Sequence, residues 1–430
     1  MVLTGRVPLL LLLGLVPVVL RPAPSTPWLW LLLVVVLVGA DALLAAPPPA
    51  VEVARAAVPG VRLGTPSASE LLVVNGAGRT LRGLVRDAWV PSAGARDNRH
   101  RVRLAPGART LLRTPLLPRR RGDLRAVGVT LRSLGPLGLA GRQQTLPVPG
   151  TLRSLPPFAS RRHLPSRLAR LRELDGRSAV RVRGQGTEFD SLREYVRGDD
   201  VRAIDWRASG RSRHVVVRTW QPERHRRVVL VLDTSRTSAA RVGDVPRLDS
   251  AMDATLLLAA LAARAGDRVD LVAGDRKVRA RLRTHGARDL VGRLQDTLAD
   301  LEPVLAEADW PGLAGAVAAL GRQRALVVLL TPLEPAAVEA GLLPVLPALT
   351  RHHRVVVASV RDPALDALGA ARGTLEEVYD AAAAAQVLAR RERTAALLRA
   401  LGVDVVDAEP DRLAPALADH YLSLKARGLL

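Results

Sequence analysis

Hydrophobic positions change their spacing along the chain, and each change predicts a different kind of element. Val7 to Leu20 is uncharged and almost wholly apolar. The stretch Arg21-Pro22-Ala23-Pro24-Ser25-Thr26-Pro27 interrupts it, because several prolines close together cannot continue a helix. A second apolar run goes from Trp28 to Ala46 and carries one acid, Asp41. A spanning helix needs roughly 20 apolar residues, so residues 1–46 predict two transmembrane helices, with Trp28 and Trp30 placed as an interfacial belt. A cleaved signal peptide is the competing reading, but no small-x-small site follows before Trp28. Two crossings predict a plasma-membrane protein with its soluble domains in the cytoplasm. Asp41, near the end of its run, is expected to reach interfacial water. Pro47-Pro48-Pro49 then makes a stiff exit.

Beyond the prolines the pattern becomes short and extended. Val51–Val53, Leu71–Val74, Leu81–Val85, Val102–Leu104 and Val127–Leu131 are strand-like runs set off by Gly, Pro and Asn. That punctuation predicts a β-sandwich over residues 50–150. Residues 151–170, rich in Pro and Arg, are expected to be a linker. From 226 to 427 the period alternates. Arg227–Leu232 is a continuous apolar run, as suits a parallel strand covered on both faces. A helix over Ser250–Ala265, with Asp249 as its expected cap, follows. Further strands are predicted at Arg268–Val272, Ala325–Thr331, Arg354–Val360 and Gly402–Val406, with Lys277–Arg283 as an edge strand and a last helix near Asp411–Arg427. Alternating strands and helices predict a doubly wound α/β sheet. Ligands of such sheets bind beyond the carboxyl ends of the strands, which directs attention to the loop after Leu232.

Charge and composition change this picture little. The chain has 430 residues, 63 Lys+Arg against 41 Asp+Glu, and a net charge of +22. Nearly all the cations are Arg, since Lys277 and Lys425 are the only lysines. With Ala, Val, Leu and Gly also abundant, this bias looks like G+C-rich codon usage, although affinity for an anionic membrane surface also fits. Hydrophobic residues at 48% exclude a disordered basic tail. The absence of cysteine excludes disulfides, thiolate nucleophiles and Cys-ligated metals.

Candidate chemistry lies in two places. Asp233-x-Ser235-x-Thr237 offers one carboxylate and two hydroxyls, oxygen ligands of the kind Mg²⁺ takes. The same residues also suit a loop held by its own hydrogen bonds. Just upstream, residues 171–225 include Gly184-Gln185-Gly186-Thr187-Glu188-Phe189-Asp190-Ser191-Leu192-Arg193-Glu194-Tyr195, then Gly198-Asp199-Asp200, Arg202 and Ile204-Asp205-Trp206-Arg207-Ala208-Ser209. Aromatics are only 3% of the chain, so their pairing here with charged residues points to a hydrogen-bonded network or a binding surface. Three readings stand: Glu188, Glu194 or Asp205 as an acid or base of a divergent hydrolase; a brace of Arg193, Arg202 and Arg207 against the carboxylates; and a partner-docking surface of Glu188, Phe189, Arg193, Tyr195, Gly198, Asp199, Asp205, Trp206 and Ser209. Nucleic-acid binding through the Arg-rich connector is a further alternative. No Gly-x-x-x-x-Gly-Lys, His-Glu-x-x-His or Gly-x-Ser-x-Gly sequence occurs. No catalytic residue, cofactor or small-molecule substrate is therefore predicted beyond Mg²⁺.

Gly184–Tyr195, Gly198-Asp199-Asp200, Ile204–Ser209 and Val228–Ser235 together resemble the bacterial domain-of-unknown-function family fifty-eight. These are membrane-anchored proteins that carry a von Willebrand factor A-type domain. The resemblance implies a non-enzymatic adaptor working with a MoxR-type AAA+ ATPase in the assembly or activation of other protein complexes. It also implies a metal site of the Asp-x-Ser-x-Ser type, of which Asp233, Ser235 and Thr237 match. The match stops there: no later threonine stands near Ala306–Trp310, and Pro332 occupies the place expected for a later aspartate.

Overall fold

A computed structural model of the chain describes residues 1–181, 188–197, 199–212, 214–221, 226–284, 289–321 and 323–430; for 175–181, 188–191 and 219–221 it describes the backbone alone. The chain forms two compact units, Met1–Leu155 and Pro156–Leu430.

The first unit opens with strand β1 (Val2–Leu3) and helices α1 (Arg6–Leu13), α2 (Leu15–Leu20) and α3 (Thr26–Leu44). One stretch, Thr26–Ala50, contains a helix long and apolar enough to cross a membrane; Arg6–Leu20 is shorter and changes helix at Gly14. The 19 residues of α3 span about 28 Å, close to the ~30 Å of a hydrocarbon core. Strands β2 (Val51–Arg55), β3 (Val61–Arg62), β4 (Ser67–Asn75), β5 (Leu81–Trp89), β6 (Arg99–Leu104), β7 (Arg109–Leu116), β8 (Gly122–Leu134), β9 (Ala140–Leu146) and β10 (Thr151–Leu155) follow. They form one sheet of β2-β4-β7 and a second in which β8 joins β5 on one side with β9 and β10 on the other. Alternate positions turn inward: Leu71 and Val73 of β4 meet Leu81 and Val85 of β5 and Val129 and Leu131 of β8. This is a β-sandwich, as the punctuation predicts. It runs to Leu155, because Thr151–Leu155 pairs with Gly122–Arg125 instead of starting a linker.

Asp41 corrects its expected placement. Its carboxylate is fully buried and accepts hydrogen bonds from the backbone N–H groups of Leu137 (2.7 Å), Leu139 (2.7 Å) and Ala140 (2.9 Å) at the β8–β9 turn. Only glycine fits at position 135, where a Cβ would lie 2.3 Å from the Asp41 carboxylate. The acid therefore ties the end of α3 to the sandwich.

The second unit begins not as free connector but as packed chain. Ser160 N–H donates to the Asp253 carboxylate at 3.1 Å, and α4 (Leu164–Arg181) lays Leu164, Leu168, Leu171 and Leu174 on the core at helical spacing. Strands β11 (Glu188–Glu194) and β12 (Val216–Gln221) pair as an antiparallel hairpin that encloses the short helix α5 (Trp206–Ser209). The remainder alternates. β13 (Arg227–Asp233), α6 (Arg236–Ala239), a small ladder β14 (Arg241–Val242) with β15 (Val245–Pro246), and α7 (Arg247–Arg264) lead into β16 (Arg268–Gly274), β17 (Val278–Leu282), α8 (Leu290–Ala299) and α9 (Trp310–Ala318). β18 (Leu326–Leu330), α10 (Pro335–Ala337), α11 (Leu346–Thr350), β19 (Arg354–Val360), α12 (Ala364–Ala370), α13 (Leu375–Ala400), β20 (Asp404–Ala408) and α14 (Pro410–Ala426) complete it. Asp249 is not the cap of α7; it lies in the first turn, after Pro246.

The sheet order is β17-β16-β13-β18-β19-β20, parallel throughout except the antiparallel edge β17. β13 explains why its sequence shows no polar alternation. Val228, Leu230 and Leu232 pack under α7 and α14, whereas Val229 and Val231 face α9 and α13, so both faces are core. Sequence order reverses between β13 and β18, and the crevice of a doubly wound sheet opens at such a switch.

Candidate functional site

β13 delivers Asp233 to that switch. The carboxylate is 1% exposed and receives three contacts from its own neighbourhood. Ser235 N–H donates to Oδ1 at 2.8 Å, while Thr331 Oγ1 and Thr237 Oγ1 donate to Oδ2 at 2.7 and 3.2 Å. Ser235 Oγ lies 3.0 Å from Thr237 Oγ1. Burial pushes the Asp233 carboxyl above its ordinary value, and the hydrogen bonds from Thr331, Ser235 and Thr237 pull against that rise. A cavity of about 450 Å³ opens over this cluster, with Trp310, Pro332 and Gly341 on its wall. The three residues of the Asp-x-Ser-x-Thr sequence thus come together, and Thr331 joins them from the end of β18. Sequence reading missed Thr331 because it looked for a carboxylate at the next position, where Pro332 stands; the Thr331 hydroxyl donates to Asp233.

These groups do not fit a divalent cation. Mg²⁺ and its relatives require several hard oxygens with acceptor capacity to spare. The cluster has one carboxylate, already accepting from the protein through both oxygens. The neighbouring acids are engaged elsewhere: Asp275 with Thr234 and Arg279, Glu307 with Arg236, Asp309 with the Gly312 N–H, and Glu334 with Arg247. Among the described residues no group of three His, Asp or Glu side chains could hold a metal ion.

The upstream cluster is a braced hairpin. Asp199 accepts from Arg193 Nη2 at 2.5 Å and from Val196 N–H at 3.0 Å. Asp205 caps α5 by accepting from the Arg207 and Ala208 N–H groups, both at 3.0 Å, and its other oxygen takes Arg218 Nε at 2.8 Å. Ser209 closes the loop onto β12, its Oγ accepting from Val216 N–H at 2.9 Å. The Tyr195 N–H donates to Val215 O at 2.7 Å, leaving its ring half-buried. The expected brace exists with different arginines: Arg193 takes part, but Arg218 replaces Arg207, and Arg202 contributes only its backbone N–H to Asp200. The Glu188 and Phe189 side chains and Gly198 lie outside the described residues.

Electrostatics follow from these contacts. The Arg193 hydrogen bond holds Asp199 below the ordinary aspartate value, and the Ala208 N–H and then Arg218 do the same for Asp205. A carboxylate tied to three donors and kept ionised is a poor general base. Because both folded values are depressed, their stabilisation is present above the ordinary value of 3.8 and is lost as pH falls through the lower folded values. Hydrogen exchange of the Glu194–Val217 amides should therefore accelerate below about pH 4. The Asp205→Asn variant should show that faster exchange already at pH 7; unchanged exchange in the variant would remove Asp205 from the brace.

Among the charged side chains that the hairpin exposes stand large apolar ones. Trp206 is 69% exposed on α5, with Val196 at 61% and Val201 at 60% on the neighbouring turns. The family described as Protein of unknown function DUF58 matches residues 191–399. Over that span, just under half of the chain, the sequence is similar to DUF58 proteins. The DUF58 span takes in the Arg193–Asp199 and Asp205–Arg218 braces and the Asp233–Thr331 cluster; Glu188 and Phe189 precede it. Among solved structures, the conserved hypothetical protein BatB from Bacteroides thetaiotaomicron is 14% identical, covering 46% of this chain and 98% of its own, with a TM-score of 0.28. The SpRpn10 VWA domain is 12% identical, covering 46% and 95%, with a TM-score of 0.28. An ASH/PapD-like domain of human CEP192 is 17% identical over 25% of this chain and 89% of its own, with a TM-score of 0.19. No curated protein matches the chain. The fold is a doubly wound α/β sheet, preceded by a β-sandwich and an apolar N-terminal helical segment.

Proposed function

We propose that this protein is a membrane-anchored, non-enzymatic adaptor whose soluble part captures a protein partner, a MoxR-type AAA+ ATPase. The observation that carries the reading is Trp206, an exposed aromatic held on a doubly braced hairpin. A large side chain presented at little entropic cost is what an interface anchor requires. Any nucleotide hydrolysis then belongs to the partner. Arg6, Arg79 and Arg142 stand at the sandwich end of the N-terminal helices, against Arg21 alone at their turn, and this asymmetry favours a cytoplasmic soluble part.

Affinity capture from membranes with tagged full chain, read by mass spectrometry, tests the proposal. An AAA+ ATPase should be recovered, and Trp206→Ala should lower its recovery about 30-fold, the ~2 kcal/mol of an interface hot spot. The thermal transition should stay within a degree or two of the parent's. Chelation by EDTA should leave capture intact, since the Asp233 cluster does not fit a cation. Equal recovery by Trp206→Ala would remove the hairpin from the interface, and absence of any ATPase would sink the adaptor reading.

A further inference from the structure

Both ends of the N-terminal helical segment are fastened to the same β8–β9 turn. β1 pairs with Ala140 and Gly141, and Thr4 Oγ1 donates to Gly138 O at 2.7 Å, while Asp41 holds the end of α3. Three arginines collect at this base. Arg6 Nη1 donates to Leu137 O at 3.0 Å, Arg79 Nη1 to Leu43 O at 2.5 Å, and Arg142 Nε to Ala42 O at 3.1 Å. Leu43, 67% exposed on α3, and Leu137, 50% exposed at the turn, lie at the same level. Lipid chains and polar head groups therefore meet here if α3 is in a bilayer.

A cleft of about 630 Å³ opens at this level between the last turns of α3 and β9. Gly39, Ala42 and Leu43 form one wall and Arg142, Gln143 and Gln144 another; no acidic residue lines it. Small residues at 39 and 42 leave room beside the helix for an acyl chain. The guanidinium spends its Nε on Ala42 O, and its planar fork suits a phosphate oxygen pair. The Gln143 oxygen already accepts from Arg132 Nε at 3.0 Å, so the Gln144 amide and the Gln143 NH₂ are what remain for head-group hydroxyls.

We propose that this cleft holds an anionic phospholipid, its phosphate on Arg142 and its head group against Gln143 and Gln144. The inference rests on the membrane anchoring proposed above. It would make the sandwich a lipid-reading element seated at the bilayer surface.

The full chain reconstituted in phosphatidylcholine vesicles tests this, with trace spin-labelled phosphatidylglycerol or spin-labelled phosphatidylcholine as probe. The motionally restricted fraction in the electron paramagnetic resonance spectrum reports binding. Phosphatidylglycerol should be favoured about five-fold, the contribution of one arginine near an anionic surface. Arg142→Gln should bring the two lipids near parity while the phosphatidylcholine signal stays, showing that the helices are still inserted. Arg142→Lys should retain most of the preference. Equal restriction of both lipids by the parent, or full preference in Arg142→Gln, would overturn the site. Displacement of the labelled lipid by excess glycerol 3-phosphate would also overturn it, reassigning the cleft to soluble phosphates. If neither lipid shows a restricted component, the membrane anchoring itself fails.

Discussion

Replacing Asp87 with alanine should cost the β-sandwich about 3–5 kcal/mol, the usual penalty for leaving one partner of a buried ion pair alone. Asp87 on β5 meets Arg55 on β2 through two contacts of 2.8 and 3.1 Å, with side-chain exposures of 0% and 2%. The pair therefore joins the two sheets inside the core. Arg55 also lies 4.9 Å above the Trp89 ring and donates to Ser69, so both of its terminal nitrogens are committed while Nε has no partner among the described residues. Burial by itself would raise the Asp87 carboxyl, but the Arg55 hydrogen bond and charge, with Trp89 and Ser69, hold it below the ordinary value. Its stabilisation is thus present above 3.8 and lost as pH falls through the folded value. Hydrogen exchange of amides in residues 51–155 should report the loss in Asp87→Ala at neutral pH. The double variant Arg55→Met/Asp87→Leu should recover most of it, because no charge is left unpaired. A double variant as unstable as the single would show that packing, not the stranded arginine, sets the cost.

Asp41→Ala should release the β8–β9 turn from α3 at a cost of about 3–6 kcal/mol. Two buried N–H groups and the part-buried Leu137 N–H lose a charged acceptor, each stranded donor costing about 1–3 kcal/mol less whatever water enters. Asp41→Asn should fall between, since the amide keeps one accepting oxygen but turns its NH₂ toward donors. Two measurements read the effect. Exchange protection of the Leu139 and Ala140 amides should disappear in Asp41→Ala. A cysteine at Leu137, unique in a chain that has none, should react faster with a water-soluble maleimide in that background. Retained protection at Leu139 would mean that β1 and Thr4 hold the turn without Asp41.

Much of the fold was legible in one dimension because burial imposes a period. β13, β18 and β19 are covered on both faces, so their runs are continuously apolar and their limits fall within a residue or two of expectation. The strands that went unread are those where the period fails. β9 (AGRQQTL) has a largely polar, exposed run, and β7 carries Pro115. β10 was mistaken for linker because prolines and arginines flank it, although it completes the sheet beside β8. α4 was likewise hidden: its leucines at 164, 168, 171 and 174 show an apolar stripe only against a core supplied by distant helices.

The site divides in the same way. Asp233, Ser235 and Thr237 are neighbours in sequence, so local turn chemistry brings them together and the motif is visible without a structure. Thr331 is 98 residues from Asp233 and meets it only because β13 and β18 are adjacent in register. That contact occupies one oxygen of the Asp233 carboxylate, while Pro332 stands where a second carboxylate would be needed. Arg218 reaches Asp205 only once β11 and β12 pair, which explains why the wrong arginines were expected in the brace. Local spacing therefore carried the elements, the apolar N-terminal helix and most of the candidate residues. Which of them are satisfied inward and which stand exposed depended on strand pairing, because hydrogen-bond partners far apart in sequence leave no trace in its period.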